Sequence, residues 1–144
     1  MNALQLKHPR ERGMTLIEIL VVLVLIGVVM GIVGSKFIGQ GEKAKADAAK
    51  IEINQIGNTL DLFKLEVGHY PTTSEGLQAL ITAPSGVTNW NGPYWKNATL
   101  PKDPWGHEYK YTSPGTHGTP YDIVSLGADG TEGGEGPNKD IANY

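Results

Sequence analysis

The chain has 144 residues, with 12 Lys and Arg against 15 Asp and Glu, a formal net charge of −3 and no cysteine. That length holds one small domain with something added. The charge excludes bulk nucleic-acid binding, since no basic patch is interleaved with aromatics, and the lack of cysteine excludes a disulfide framework, a thiolate zinc site and a thiol nucleophile.

Residues 1–13 are polar and basic, with Lys7, His8, Arg10 and Arg12 against Glu11 alone. Met14 to Gly34 is then apolar except for Thr15 and Glu18. At ~1.5 Å per residue this run makes a helix about 31 Å long, enough to cross a bilayer core. It is too long for the apolar part of a cleavable secretory signal, and no small-residue cleavage site follows it. A spanning helix is therefore predicted over 14–34. Lys7, Arg10 and Arg12 crowd closer to it than Lys36, Lys43 and Lys45, which favours a cytoplasmic N-terminus. Gly27 and Gly31 have the spacing of a small-xxx-small packing face.

Glu18 stands out in this run. An ionisable side chain in a spanning helix costs on the order of 3 kcal/mol and marks a functional site by default. Its place near the end of the span lets it reach the interface, which softens that cost.

From Gln40 the pattern changes. Ala49, Ile53, Ile56, Leu60, Phe63 and Val67 recur at alternating steps of four and three, one apolar stripe on a helix, with Leu62 and Leu65 expected to widen it. Gly68 is placed to cap this helix and Pro71 prevents its continuation. A short helix is predicted in SEGLQALIT with Ser74 as its N-cap, followed by a turn-rich stretch from Ala83 to Pro104. Strands are predicted at His107–Thr112 and Tyr121–Leu126, joined as a hairpin through 113–120. The remaining tail reads as loop. The fold class is α+β: a small antiparallel sheet laid on the stripe of a long N-terminal helix.

The tail places Asp129, Glu132, Glu135, Asn138 and Asp140 among glycines. Hard oxygen ligands on a tight loop suit calcium, although the spacing of an EF-hand is missing. A solvated acidic loop is the alternative. With no disulfide, a metal clip is one way to hold so long a loop. Other constellations carry less. His8, His69, His107 and His117 share no spacing. Asp103, Glu108 and Asp122 read as turn or strand carboxylates facing solvent, and Trp90, Trp95 and Trp105 as packing. No catalytic set emerges.

Arg12-Gly13-Met14-Thr15-Leu16-Ile17-Glu18 followed by an aliphatic run resembles the processing site of the type IV pilin superfamily. The resemblance implies that a prepilin peptidase cuts after Gly13 and N-methylates Met14, where phenylalanine is usual. It also implies that Glu18 guides recruitment and assembly. Four residues from Met14, Glu18 is placed to meet the new amine, either within its own subunit or on a neighbouring one. Three further blocks narrow the likeness: Tyr70-Pro71-Thr72-Thr73-Ser74-Glu75-Gly76-Leu77, Leu100-Pro101-Lys102-Asp103-Pro104-Trp105-Gly106 and Ser125-Leu126-Gly127-Ala128-Asp129-Gly130. In this order they resemble the major pseudopilins of the bacterial type II secretion system.

That family implies a cleaved leader (1–13), a transmembrane and assembly helix (14–34) and a periplasmic domain (35–144). It implies a structural subunit and not an enzyme. The subunit would sit single-pass in the inner membrane, N-terminus cytoplasmic, and polymerise into a pseudopilus that drives folded proteins across the outer membrane. Its partners would be further copies of itself, minor pseudopilins, the prepilin peptidase and the inner-membrane assembly platform. Family members often carry proline where this chain has Ser35. They bind a structural calcium in the tail loop, here through the Leu126 carbonyl, Asp129, Glu135 or Asn138, and Asp140. Two other classes compete: an adhesive type IV pilin, whose usual C-terminal disulfide this chain cannot form, and an anchored calcium-binding or enzymatic domain that never polymerises.

Overall fold

The apolar run and the periodic stripe after it form one element, helix α1, Leu16–Val67. The computed structural model describes residues 13–144, apart from the side chains of residues 35–38. The leader charges at Lys7, Arg10 and Arg12 lie outside the described residues. The chain divides into two units, one ending at Gly39 and the other running Gln40–Tyr144.

In the first unit, every large apolar side chain from Met14 to Val33 is at least 40% exposed. The segment is long and apolar enough to cross a membrane. An added Cβ at Gly27, Gly31 or Gly34 would meet nothing within 4 Å.

In the second unit α1 buries its stripe. Ala49, Ile53, Ile56, Leu60 and Phe63 are at most 2% exposed and pack with Leu77, Ala79, Leu80, Tyr109, Ile123 and Ile141 in one core. Val67 packs at its margin. Leu62 and Leu65 do not widen the stripe: they are 45% and 80% exposed. At ~100° per residue each falls too far round the helix from the line through Leu60 and Phe63 to reach the core. Gly68 ends α1 as expected, with φ +98° and its N–H on the Lys64 carbonyl at 2.8 Å.

Four carboxylates on α1 accept hydrogen bonds from aromatic donors of the layer laid against it. Trp105 Nε1–H donates to Glu42 at 2.7 Å, Tyr70 to Asp61 at 2.7 Å, Tyr94 to Glu66 at 2.7 Å, and Tyr109 to Glu52. Each aromatic body buries apolar area while its polar tip finds a charged acceptor at the helix margin. Gly57 faces Tyr121 so closely that a Cβ would come within 2.9 Å of the phenol oxygen. That approach offsets the roughly 1 kcal/mol a mid-helix glycine costs.

The short helix after Pro71 is a 3-10 turn, Leu77–Leu80, with Gly76 and not Ser74 at its N-cap. The preceding turn is closed by Thr72 and Glu75. Glu75 accepts the Thr72 N–H at 2.7 Å, and the Thr72 hydroxyl accepts the Glu75 N–H at 3.3 Å. With the chain already turned there, the Ser74 hydroxyl sits 3.0 Å from that of Thr72.

The sheet has three strands in the order β1-β2-β3, all antiparallel: β1 Lys110–Thr112, β2 Asp122–Ser125 and β3 Ile141–Ala142. The first two are shorter than predicted, and Lys102 bridges Glu108 ahead of β1. The tail is not pure loop: its end returns as β3, pairing Ala142 with Val124 and Ile141 with Ser125. The Asn143 side chain lengthens this seam, accepting the Ile123 N–H at 2.7 Å and donating to the Tyr121 carbonyl at 3.0 Å. Two residues hold no alternation pattern, so nothing in DIANY announced a strand.

Candidate functional site

The first candidate site is the start of α1. Gly13 and Met14 lie just before the helix, and Met14 is 72% exposed. Glu18 Oε2 accepts the Thr15 N–H at 2.7 Å, and the Thr15 hydroxyl accepts the Glu18 N–H at 3.3 Å. This is a capping box, which satisfies two of the helix's orphan donors reciprocally. The sequence reading gave Glu18 a different partner, an amine created at Met14. The missed signal was the Thr-x-x-Glu pattern before an apolar run.

The second candidate site is the loop between β2 and β3, 126–140. It is closed on itself by backbone contacts: the Ala128 N–H donates to the Pro137 carbonyl at 3.0 Å, and a 3-10 turn spans Gly136–Asn138. Gly127 has φ +67°, and a Cβ there would lie 2.9 Å from the Asn138 carbonyl carbon and oxygen. Gly134, at φ +88°, would carry one to 2.6 Å from the same oxygen. Only glycine permits both the backbone angle and the close approach at these two places.

The predicted ligands divide sharply within this loop. Asp140 is half-buried: one carboxylate oxygen accepts the Gly133 N–H at 2.9 Å, and the other, Oδ1, is buried without a hydrogen-bond partner. Asp129 is exposed, and its Oδ1 accepts the Thr131 N–H at 3.1 Å. Glu135 and Asn138 are exposed, while Leu126 is buried. Glu132 pairs with Lys110 at 2.6 Å, and that bond holds its carboxyl below the usual range. Among the described residues no three His, Asp or Glu side chains converge, so Asp129, Glu135 and Asp140 do not form a three-carboxylate cluster.

Two carboxylates expected to face solvent are buried instead. Asp103 is 4% exposed; its Oδ1 accepts the N–H groups of Trp105 and His107, and its Oδ2 the Ser125 hydroxyl at 2.6 Å. Asp122 is also 4% exposed. Burial raises its pKa, but bonds from Thr119, Thr116 and His117 outweigh that and hold it well below the ordinary carboxylate range. Both serve as anchors for turns, and the reason is local: each sits where several backbone or hydroxyl donors point inward and need an acceptor. Trp90, Trp95 and Trp105 are partly buried against the core, as expected.

An exposed apolar helix opened by a Thr–Glu box, with a small sheet and glycine loop in the second unit, defines a pilin-like protein. Residues 8–34 match the prokaryotic N-terminal methylation motif. Residues 36–144 match the family model of type II secretion system protein G. The chain is 45% identical to a type II secretion system core protein G of Vibrio cholerae, over 96% of this chain and 94% of that one. It is 43% identical to the core protein G of Pseudomonas aeruginosa, over 96% and 99%. It superposes with a TM-score of 0.62 on the crystal structure of the major pseudopilin from the type 2 secretion system of enterohaemorrhagic Escherichia coli. That match is 33% identical and covers 74% of this chain and 91% of the other.

The chain belongs to the type II secretion system protein G family. It is a core structural pseudopilin subunit and not an enzyme, and it works within a pseudopilus assembled with other components of that system. The methylation motif and the exposed apolar helix fit a membrane-anchored subunit.

Proposed function

We propose that this chain waits in the inner membrane as a single-pass precursor, N-terminus cytoplasmic. It is cut after Gly13 and N-methylated at Met14 by a prepilin peptidase, then polymerises through residues 14–34. The growing filament pushes folded proteins through an outer-membrane channel, and minor pseudopilins and the inner-membrane platform start and drive its growth. The observation that carries this reading is the Thr15–Glu18 box at the head of a wholly exposed apolar helix, one residue beyond the processed bond.

The physics runs in two stages. In the bilayer the box lowers the cost of the carboxylate by giving it backbone and hydroxyl partners. On assembly, apolar side chains exchange lipid for one another, which gains little by hydrophobicity alone. Register then depends on polar pairing. Cleavage leaves the Thr15 N–H in place and adds the Met14 amine four residues from Glu18, so one carboxylate can cap its own helix and meet a positive amine on a neighbour.

The experiment compares two substitutions. Glu18→Gln retains an acceptor for the box but no charge, whereas Glu18→Ala removes both. Charge pairing predicts that both variants insert and are processed, and that both fail to form filaments and to secrete. Normal secretion by Glu18→Ala would refute the proposed role of this residue. Normal secretion by Glu18→Gln alone would assign the role to capping.

The 126–140 loop is read as a calcium site. The buried, unpartnered oxygen of Asp140 is the feature that fits a cation, and a loop with few converging carboxylates leaves the balance of ligands to carbonyl oxygens, which calcium accepts. Asp140 and the Leu126 carbonyl would hold it, with Asp129, Glu135 or Asn138 completing the set. Bound calcium would cross-link the two ends of the loop. Chelation is expected to lower the melting temperature by several degrees, following the linkage of a ligand that binds only the folded state. A melt unaffected by chelator would remove the structural cation.

A further inference from the structure

We infer that His107, which lies outside the loop, is the positioning residue of the 126–140 loop and sets the peptide that begins its ligand set. The inference rests on the calcium reading above, but it stands on separate contacts.

His107 Nδ1 lies 3.1 Å from the Gly127 carbonyl oxygen. A carbonyl can only accept, so Nδ1 carries the proton and the ring is a donor here. The other side of the ring supports the next turn: a Cβ on Gly130 would lie 3.0 Å from Nε2, 3.1 Å from Cε1 and 3.2 Å from Cδ2. Gly130 has φ +67°, so the turn 127–130 rests on the imidazole with no side chain between.

The ring is itself held. The His107 N–H donates to Asp103 Oδ1 at 2.8 Å, and Asp103 Oδ2 takes the Ser125 hydroxyl at 2.6 Å and stands 3.8 Å from His107 Nδ1. Ser125 ends β2, and its oxygen also accepts the Gly127 N–H at 3.4 Å. Gly127 is therefore gripped at both of its backbone groups. The peptide joining Leu126 to Gly127 is planar and trans, so fixing the Gly127 N–H fixes the direction of the Leu126 carbonyl as well. Engaging the Gly127 carbonyl on His107 holds it toward the imidazole, while the Leu126 carbonyl is the one left for the ligand set at that end. The Asp103–His107–Ser125 group thus acts on a cation the way an outer shell does, by orienting a ligand it does not replace.

The test uses the full-length chain in detergent micelles and two readouts. The first is amide exchange of the 126–131 peptide in the presence of chelator. His107→Phe should speed it roughly tenfold, the worth of one hydrogen bond, with exchange in α1 and β1 unchanged. The second is calorimetric titration with calcium chloride, in which His107→Phe should weaken binding about tenfold or more. His107→Asn places an amide N–H where Nδ1 stood and should restore most of both. If His107→Phe does not fold, His107→Gln, with its amide one bond too far out, takes its place.

Unchanged loop exchange together with wild-type calcium affinity in His107→Phe overturns the role of His107 and leaves the calcium reading intact. No calcium binding by the wild-type chain overturns the calcium reading and, with it, this role.

Discussion

Among the described residues two Thr-x-x-Glu boxes form with the same bond lengths, 2.7 and 3.3 Å. One opens the turn at Thr72–Glu75 and is tied into its surroundings: the Thr73 hydroxyl accepts the Ser113 N–H at 2.9 Å, and Leu77 just beyond is buried. The other opens α1 at Thr15–Glu18, among side chains that all face outward. The local chemistry is identical and the surroundings are opposite. A motif therefore states what a backbone needs, and its surroundings decide whether the same carboxylate is only a cap or also a group available to another molecule.

Matched pairs of substitutions test that lesson. The largest difference is expected between Glu18→Ala and Glu75→Ala. The first should abolish filament formation and secretion, and the second should leave both near normal at temperatures where the domain is folded; exoprotein release in a deletion strain reads both. Equal loss from the two would mean that capping, not exposure, matters.

Next come two apolar residues two positions apart on α1. Phe63→Ala should destabilise the domain by about 3–5 kcal/mol through the cavity it leaves, while Leu65→Ala should stay within about 0.5 kcal/mol. Denaturant melts of the two variants suffice.

A smaller contrast separates two carboxylates. The folded pKa of Asp122 is depressed, so its contribution is full above the unfolded value near 4 and is lost as pH falls through the folded one. Asp122→Asn should cost roughly 2–3 kcal/mol at neutral pH, since charge-assisted bonds to a buried acceptor are lost. Its stability should converge on that of the wild type as the solution becomes strongly acidic. Glu132→Gln breaks only an exposed pair with Lys110, whose side chains are 76% and 53% exposed, and should change little, the more so in high salt. The smallest contrast is Thr72→Ala, expected to cost about 1 kcal/mol as a lost cap, against Ser74→Ala, expected to be near neutral. A larger loss at Ser74 would restore it as the cap.

Much of the fold could be read from the residues. The steps of four and three placed the buried stripe from Ala49 to Phe63 correctly, and Gly68 and Pro71 marked the end of α1. The error at Leu62 and Leu65 came from counting hydrophobicity without angle. The residues of the 126–140 loop could be named from the sequence, but their arrangement could not. Asp140 was named as a ligand, but its unpartnered oxygen depends on how Gly133 and β3 meet, and His107 was set aside because its spacing to other histidines carries no meaning for a contact with Gly127.

The sequence by itself determined the apolar span, the amphipathic stripe and the family, because each rests on neighbours within a few positions or on ordered blocks; the Thr15–Glu18 cap was equally local but was recognised only from its hydrogen bonds. Only the tertiary structure decided that Asp103 and Asp122 are buried, that Ile141 and Ala142 form a strand, and that His107 seats the loop. Those facts depend on pairings 4 to 22 residues apart, and separations of that kind leave no period in a chain, since what selects them is the need of buried donors and acceptors to find one another once the core has closed.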